Sequence, residues 1–445
     1  MLGLRYIQCF LLLLCSIIVN VHAKSAIGSR TLIVFDDRVD DLSNYSNFFN
    51  LLKDHEFDIT TLELSDKSTK INLFEKDTRL YDNLILFPVK GKLYSKQLAA
   101  KKLIHFNEDG GNILALTIPK VSSDPIHLYL NQLGIYPSPR TQSLKDLFQD
   151  SNNNNLQFTA KESIENKIIY SNENAEDSIY NFGDSVSAAL LDNREQIIPL
   201  LKASRTSFTS GNKTREINWT DGTQGYLIAG FQNLVNARSL WLGSVQFLSN
   251  EHFKQNLDLI NDLIQWNFQE KNIIKVTNVN HYHTESNLSY DELPYKVTDN
   301  ITYTISLSQW DGSKWIPFIT DDLQFELRQV DPYYRITMKP QGVSPIDPQA
   351  ELYSTGDFKL PNRHGMFTFL TNYQRSGLSF IHQSDVKAIR HLANDEYPRS
   401  FEIPNAWVYL ASIATVIISF IAFVLFFIAT PASVSEGVTT AKKTN

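Results

Sequence analysis

The stretch "WVYLASIATVIISFIAFVLFFIAT", Trp407 to Thr430, contains no charged side chain. No other feature limits the possible folds of the chain so tightly. At ~1.5 Å rise per residue, a helix of this length reaches ~36 Å, enough to cross a hydrocarbon core of about 30 Å with some tilt. A helix buried in a soluble core would carry polar positions along one face. Trp407 and Tyr409 stand at its first end, where aromatic side chains favour the bilayer interface. Residues 407–430 are therefore predicted to be a transmembrane helix, with membrane lipid as its surroundings. The bulk of the chain must fold in water on one side of it.

The N-terminus, "MLGLRYIQCFLLLLCSIIVNVHA", places Arg5 before an apolar run and ends in Val-His-Ala. That order predicts a secretory signal peptide over 1–23, cleaved after Ala23. Leader and span together predict a type I protein: residues 24 to about 406 in the lumen and residues 431–445 in the cytosol. Lys442 and Lys443 then lie on the cytosolic side, in accord with the positive-inside rule. A Lys-Lys-x-x terminus there resembles the dilysine retrieval signal of endoplasmic reticulum membrane proteins, an address read by a receptor. Both cysteines, Cys9 and Cys15, fall within the leader. The mature chain is predicted to have no disulfide, thiolate zinc site or cysteine nucleophile. A formal net charge of -7 gives no reason to expect nucleic acid as a partner.

The first half alternates strand and helix patterns. "TLIVFD" (31–36), "FDITTLEL" (57–64), "YDNLILFP" (81–88) and "NILALT" (112–117) read as strands. Tyr45, Phe48, Phe49 and Leu52 recur with helical spacing between the first two, and a lysine-rich helix ends near "NEDGG". "EQIIPLL", "GYLIAGF" and "SLWLGSVQFL" are further strand candidates, followed by a helix with Phe253, Leu257, Ile260 and Ile264 on one face. The alternation predicts a mostly parallel α/β domain over 24–270, with the polar run 151–157 as a surface loop. From about 275 the period changes to two. Ile301, Tyr303, Ile305 and Leu307 alternate with Thr302, Thr304, Ser306 and Ser308, and Asp311-Gly312 supplies a hairpin turn. Leu323, Phe325 and Leu327, then Tyr334, Ile336 and Met338, then Phe367 with Phe369 and Leu378 with Phe380 repeat the pattern. An antiparallel β-sandwich over 275–395, one face buried and one wet, follows from that pattern. Residues 396–406 form a juxtamembrane segment.

Asp36 ends the first strand, where α/β sheets place ligands, but no glycine-rich phosphate motif follows "DDRVDD", which favours a solvated acidic loop. There is no G-x-S-x-G elbow and no Asp-x-Asp pair. His281 and His283 offer two metal-ligand types without a third, so they read as a surface strand or loop end. Glu108 and Asp109 decorate a turn. The sequence therefore assigns no catalytic residue, metal or cofactor. Asn-x-Ser/Thr sequons at Asn44, Asn212, Asn218, Asn287 and Asn300 are candidate glycan acceptors. In the span, Ala411, Thr415, Ser419 and Ala422 fall at i, i+4, i+8 and i+11. Such a stripe allows close helix approach in lipid, or is simple tolerance of small residues.

"RLYDNLILFPVKG", "LGIYPSPR", "DNREQIIPLL", "GSVQFLSNE", "QFELRQVDPYYRITM", "NRHGMFTFLTNY" and "VKAIRHLANDEYPRSFEI" together resemble, in order, the oligosaccharyltransferase 48-kilodalton subunit family, including its fungal wheat-germ-agglutinin-binding-protein branch. The resemblance implies a non-catalytic subunit of the complex that moves a dolichol-linked oligosaccharide onto Asn-x-Ser/Thr. It implies a Rossmann-like, glutamine-amidotransferase-like α/β domain lacking that class's cysteine. It also implies three neighbours: a ribophorin-II-like subunit, a small multispan defender-against-death-type subunit and the catalytic multispan subunit. The charges of Lys387, Arg390, Asp395, Glu396 and Arg399 could dock partner domains or form a solvated stalk. The alternative function is a retained glycan-binding or chaperone-like membrane protein.

Overall fold

The computed structural model describes residues 24–64, 71–76, 78–90, 98–121, 124–149, 155–170, 178–211, 217–397 and 405–430. Short apolar runs build the first unit: β1 (Arg30–Phe35), β2 (Asp58–Glu63), β3 (Asn83–Leu86), β4 (Asn112–Leu116), β5 (Ile135–Pro137), β6 (Ala189–Leu191), β7 (Ile197–Lys202), β8 (Tyr226–Gln232) and β9 (Arg238–Leu242). They form one sheet in the order β2-β1-β3-β4-β9-β8-β6-β5, with β7 also paired to β8. The pairings from β2 through β9 are parallel, and the others are antiparallel.

Four longer helices, α1 (Ser46–Asp54), α2 (Ala100–Glu108), α3 (Asp124–Leu133) and α4 (Phe253–Asn267), cover this sheet. Successive strand residues point to opposite faces. Ile33, Ile85, Leu114 and Leu240 therefore share one core with Phe48 and Leu52 of α1 and with Leu259, Ile260 and Leu263 of α4. Leu32, Leu84, Ile113 and Trp241 share the other with Leu103 and Phe106 of α2 and with Ile126 and Leu130 of α3. Both faces are covered, so β1, β3 and β4 read as unbroken apolar runs. The turn before α1 is capped by Asp41, whose carboxylate accepts the Ser43 amide at 2.9 Å.

Three sequence expectations shift here. Leu257 points outward, 39% exposed, and Leu259 and Leu263 take its place in the core. The strand read as "SLWLGSVQFL" stops at Leu242, because the backbone at Gly243 lies against the Ser187 carbonyl, where a Cβ would come within 2.1 Å. Gln246–Leu248 is a 3-10 turn. The polar run at 151–157 falls mostly outside the described residues.

The second unit contains β10 (Ile274–His283), β11 (Asn300–Trp310), β12 (Trp315–Pro317), β13 (Gln324–Arg328), β14 (Pro332–Thr337), β15 (Lys339–Val343), β16 (Glu351–Lys359), β17 (Gly365–Tyr373) and β18 (Ile381–Ile389). Two antiparallel sheets result, β10-β11-β16-β15 with β12 on β11, and β14-β13-β17-β18. Ile301, Tyr303 and Ile305 of the first and Phe325, Phe367 and Phe369 of the second belong to one core. Met338, buried between β14 and β15, is where the chain crosses from one sheet to the other.

The wet face expected for β11 is covered in part. Thr302, Ser306 and Ser308 are buried; Ser306 bonds Ser344 at 3.2 Å and Thr302 bonds Thr284 at 2.9 Å. Tyr334 is exposed, because β14 is an edge strand. Leu378 and Phe380 lie in the loop before β18 rather than in a strand, and that loop docks on the α/β unit. The Trp266 indole donates to the Gly377 carbonyl at 3.0 Å, Gln232 to Leu378 at 2.9 Å and Asn236 to Phe380 at 3.0 Å. The α/β unit thus sits at the end of the β unit where β18 begins. The chain leaves from the opposite end, where β18 stops. Beyond it, α5 (Ala406–Ala429) is apolar and exposed along its length, with mean hydropathy 2.7 in its most apolar window.

Candidate functional site

The C-terminal edge of the parallel strands, where β1 and β3 end side by side, is the place to look for a ligand in such a sheet. Asp36 follows β1 and is almost fully buried, which corrects the expectation of a solvated loop. Its carboxylate is committed. One oxygen accepts the Arg38 amide at 3.1 Å and Arg38 Nε at 2.8 Å; the other accepts Arg38 Nη2 at 2.8 Å and the Lys90 amide at 3.0 Å. Arg38 also donates to the Lys90 carbonyl at 2.9 Å, so it staples the ends of the two strands together. Burial works against ionisation of Asp36, but the bonds from Arg38 and the two amides outweigh it and hold the carboxyl below its ordinary range. Beside it, Asp40 accepts the Tyr45 hydroxyl.

His281 and His283 lie on β10 and face inward, against the expectation of a surface strand or loop end. Alternation places both on the same face of the strand. His281 Nδ1 meets the Tyr295 hydroxyl at 2.8 Å and its Nε2 meets Asp385 at 2.9 Å, with the ring stacked on Phe369 at 4.9 Å. His283 Nε2 lies 2.9 Å from the Leu293 carbonyl. Both nitrogens of His281 are occupied, and among the described residues no group of three or more His, Cys, Asp or Glu side chains is placed to hold a metal. Burial opposes ionisation of Asp385, and hydrogen bonds from His281 and Lys387 outweigh it, lowering its pKa. Asp109 pairs with Arg79 at 3.1 Å beside the turn at Gly110, as a turn decoration should.

Sequence reasoning missed Arg238, the first residue of β9. It is fully buried, and its pKa is moved by burial alone, with no ion pair to a carboxylate among the described residues. Its guanidinium donates to the carbonyls of Trp266 (2.6 Å), Lys271 (2.9 Å) and Asn272 (2.7 Å) and to Gln232 Oε1 (3.2 Å), and lies 5.0 Å from the Trp266 ring centroid. Burial lowers its pKa to about 9. An arginine next to an apolar run carries no mark that distinguishes this role. An apolar cavity of about 10 Å³ lined by Ile164, Ile169, Leu200 and Leu263 has room for about one water and none for a sugar.

Asn44, Asn218 and Asn287 are exposed, and Asn300 is half-buried at the start of β11; Asn212 lies outside the described residues, as do Lys442 and Lys443. Ala411, Thr415, Ser419 and Ala422 are exposed on α5, and Thr415 bonds back to the Ala411 carbonyl at 2.8 Å. Of the boundary charges, Lys387 lies 3.4 Å from Asp385, Arg390 2.9 Å from Glu396 and Lys296 3.5 Å from Glu396. The Arg390 bond leads the effects that hold the Glu396 carboxyl down to about 2. Of these, only the Lys296–Glu396 pair joins the exit segment to the 290s loop, while Arg399 lies outside the described residues.

Fold and site define a class: an α/β unit and an antiparallel β unit fastened together, followed by one helix long and apolar enough to cross a membrane. The polar groups that looked reactive in the sequence are bonded within the body. The chain belongs to the OST48 family: the OST48 N-terminal domain matches residues 22–270 and the OST48 middle domain residues 281–431. It is 45% identical over 432 residues to the dolichyl-diphosphooligosaccharide–protein glycosyltransferase subunit WBP1 of Saccharomyces cerevisiae, covering 97% of this chain and 98% of that one. The Schizosaccharomyces pombe subunit of the same name is 30% identical over 397 residues, covering 86% and 88%. Among solved structures, the mmIFT52 N-terminal domain is similar to 54% of this chain, covering 97% of that domain, at 12% identity and a TM-score of 0.40.

Proposed function

We propose that this chain is a non-catalytic, structural subunit of the endoplasmic reticulum oligosaccharyltransferase complex, which transfers a dolichol-linked oligosaccharide to Asn-x-Ser/Thr of nascent proteins. The carrying observation is the 45% identity to a subunit so named, spanning nearly the whole of both chains. The internal pairing of Asp36 and His281 supports a body that holds its shape rather than turns over substrate.

In this reading the first unit, 24–270, is a Rossmann-like, glutamine-amidotransferase-like domain, and the second, 275–395, is a β-sandwich. Both lie in the lumen after removal of residues 1–23. Residues 396–406 link them to a span over 407–430, and Lys442 and Lys443 on the cytosolic tail 431–445 serve retrieval. Asn44, Asn212, Asn218, Asn287 and Asn300 accept glycans. The Ala411, Thr415, Ser419 and Ala422 stripe packs against a partner's span, drawn from the ribophorin-II-like, defender-against-death-type or catalytic multispan subunits. Purification in mild detergent with mass spectrometry should recover those partners, and depletion should lower sequon occupancy on secreted proteins. Recovery of the chain alone, with normal occupancy after depletion, refutes the proposal. Leucine at Ala411, Thr415 and Ser419 should shrink the complex on native gels.

A further inference from the structure

We propose that the end of the β unit remote from the α/β unit rests on the lipid surface, with the hairpin tip between β13 and β14 as its contact. The proposal depends on the reading of α5 as a membrane span. One end of the β unit is occupied: the loop before β18 is bonded to Trp266, Gln232 and Asn236 of the α/β unit. At the other end β18 stops at Ile389, and the chain beyond it is held in place. Arg390 exchanges backbone hydrogen bonds with Tyr295 (3.0 Å) and Val297 (2.9 Å), and Glu396 pairs with both Arg390 and Lys296. Eight residues then separate Tyr397 from Ala406, the first residue of α5. Even fully extended, that tether reaches only ~30 Å, so the bilayer lies close to this end of the β unit.

The hairpin tip is at the same end. Ile389 is in register with Gly365, the first residue of β17, and Gln329 donates to the neighbouring His364 carbonyl at 3.3 Å. The tip itself carries Val330, which is 90% exposed, at a position where turn chemistry favours Gly, Asn or Asp. Met366 and Tyr333 are exposed nearby, and so is Arg363. Val330 stands between Gln329 and the exposed Asp331, with a tyrosine and an arginine around it, so one apolar side chain on a polar tip meets the boundary between headgroups and acyl chains, where aromatic rings and cations are favoured. A convex tip offers a protein partner no groove to fill, whereas a bilayer needs none.

The test uses the full chain in its assembled complex, reconstituted into phosphatidylcholine–phosphatidylserine vesicles. An environment-sensitive fluorescent amino acid replaces Val330, Val235 or Phe423, one at a time. Val235 is exposed near Asn236, at the occupied end, and Phe423 is exposed on α5. Nitroxides placed on lipid headgroups should quench the probe at 330 and shift its emission to shorter wavelength, leaving the probe at 235 unchanged; nitroxides deep in the acyl chains should quench the probe at 423. Unquenched emission at 423 overturns the span reading and this proposal with it. Quenching at 423 with a probe at 330 that behaves like the one at 235 overturns the proposal alone. A blue-shifted probe at 330 that no nitroxide lipid quenches means that a protein partner covers the tip, and also overturns it.

Discussion

One buried cation in the α/β unit, Arg238, and one buried ring in the β unit, His281, are satisfied in opposite ways. In the first, Arg238 is enclosed without an anion, and main-chain carbonyls from Trp266, Lys271 and Asn272 satisfy it. In the second, His281 is held by two side chains, Tyr295 and Asp385, one of which is partly open to water. The first arrangement depends on several chain segments folding into place, and its acceptors cannot be exchanged by mutation. The second is a local network that a neighbour or a water can complete. A charge ringed by backbone thus ties β9 to the end of α4 and to the turn that leads into the β unit, whereas a charge ringed by side chains stays within one network.

That contrast can be broken in order of expected effect. Arg238→Met should be the most damaging, at roughly 3–5 kcal/mol, because it leaves several buried acceptors without donors. The thermal unfolding midpoint of the purified chain should fall; an unchanged midpoint would show that the carbonyls find other donors. His281→Phe should cost less, about 1–2 kcal/mol, because a ring still stacks on Phe369 while the Tyr295 hydroxyl loses its partner. A larger loss at 281 than at 238 would reverse the comparison. Asp36→Asn should cost about 1 kcal/mol, since one oxygen still accepts two donors and Arg38, half in water, can turn away from the new amide nitrogen, and oligosaccharide transfer should be unaltered.

The smallest effect is a pH slope. The Glu270 hydrogen bond at 2.7 Å raises the pKa of His55 against the opposing effect of burial. A raised folded-state pKa gives stability that is full below the unfolded histidine value and lost as pH rises through the folded one. Denaturant midpoints should fall across that window in the parent chain, and His55→Gln should flatten the slope. Asp36 acts in the other direction. Its lowered pKa gives stability that is present above the ordinary aspartate value and lost as pH falls.

Much of the framework was legible because periodicity and burial agree. Ile301, Tyr303, Ile305 and Leu307 were read as one face and are fully buried together. The apolar runs of β1, β3 and β4 could belong only to a sheet covered on both sides. The long apolar helix α5 needed nothing beyond a count of uncharged residues. What stayed hidden was set by distant partners. Nothing near His281 in sequence announces Asp385, 104 residues away. The same is true of Leu257: its helix offers two apolar stripes, and only the sheet beneath decides which turns inward. Asp36 was assigned to solvent because its staple combines a residue two positions on with the Lys90 backbone, 54 positions on. β-strands of three residues, such as β5 and β6, are too short to show a period.

The docking of the loop before β18 has a consequence for how the protein is made. Asn236 and the Phe380 carbonyl it reaches are 144 residues apart. At ~5–20 residues per second of synthesis, the earlier half waits roughly 7–30 s for its missing acceptors to emerge. During that interval its underside is a half-built joint, with an indole and two amides facing outward. Assembly on the ribosome thus proceeds with the seam open until the C-terminal end of the β unit has been made.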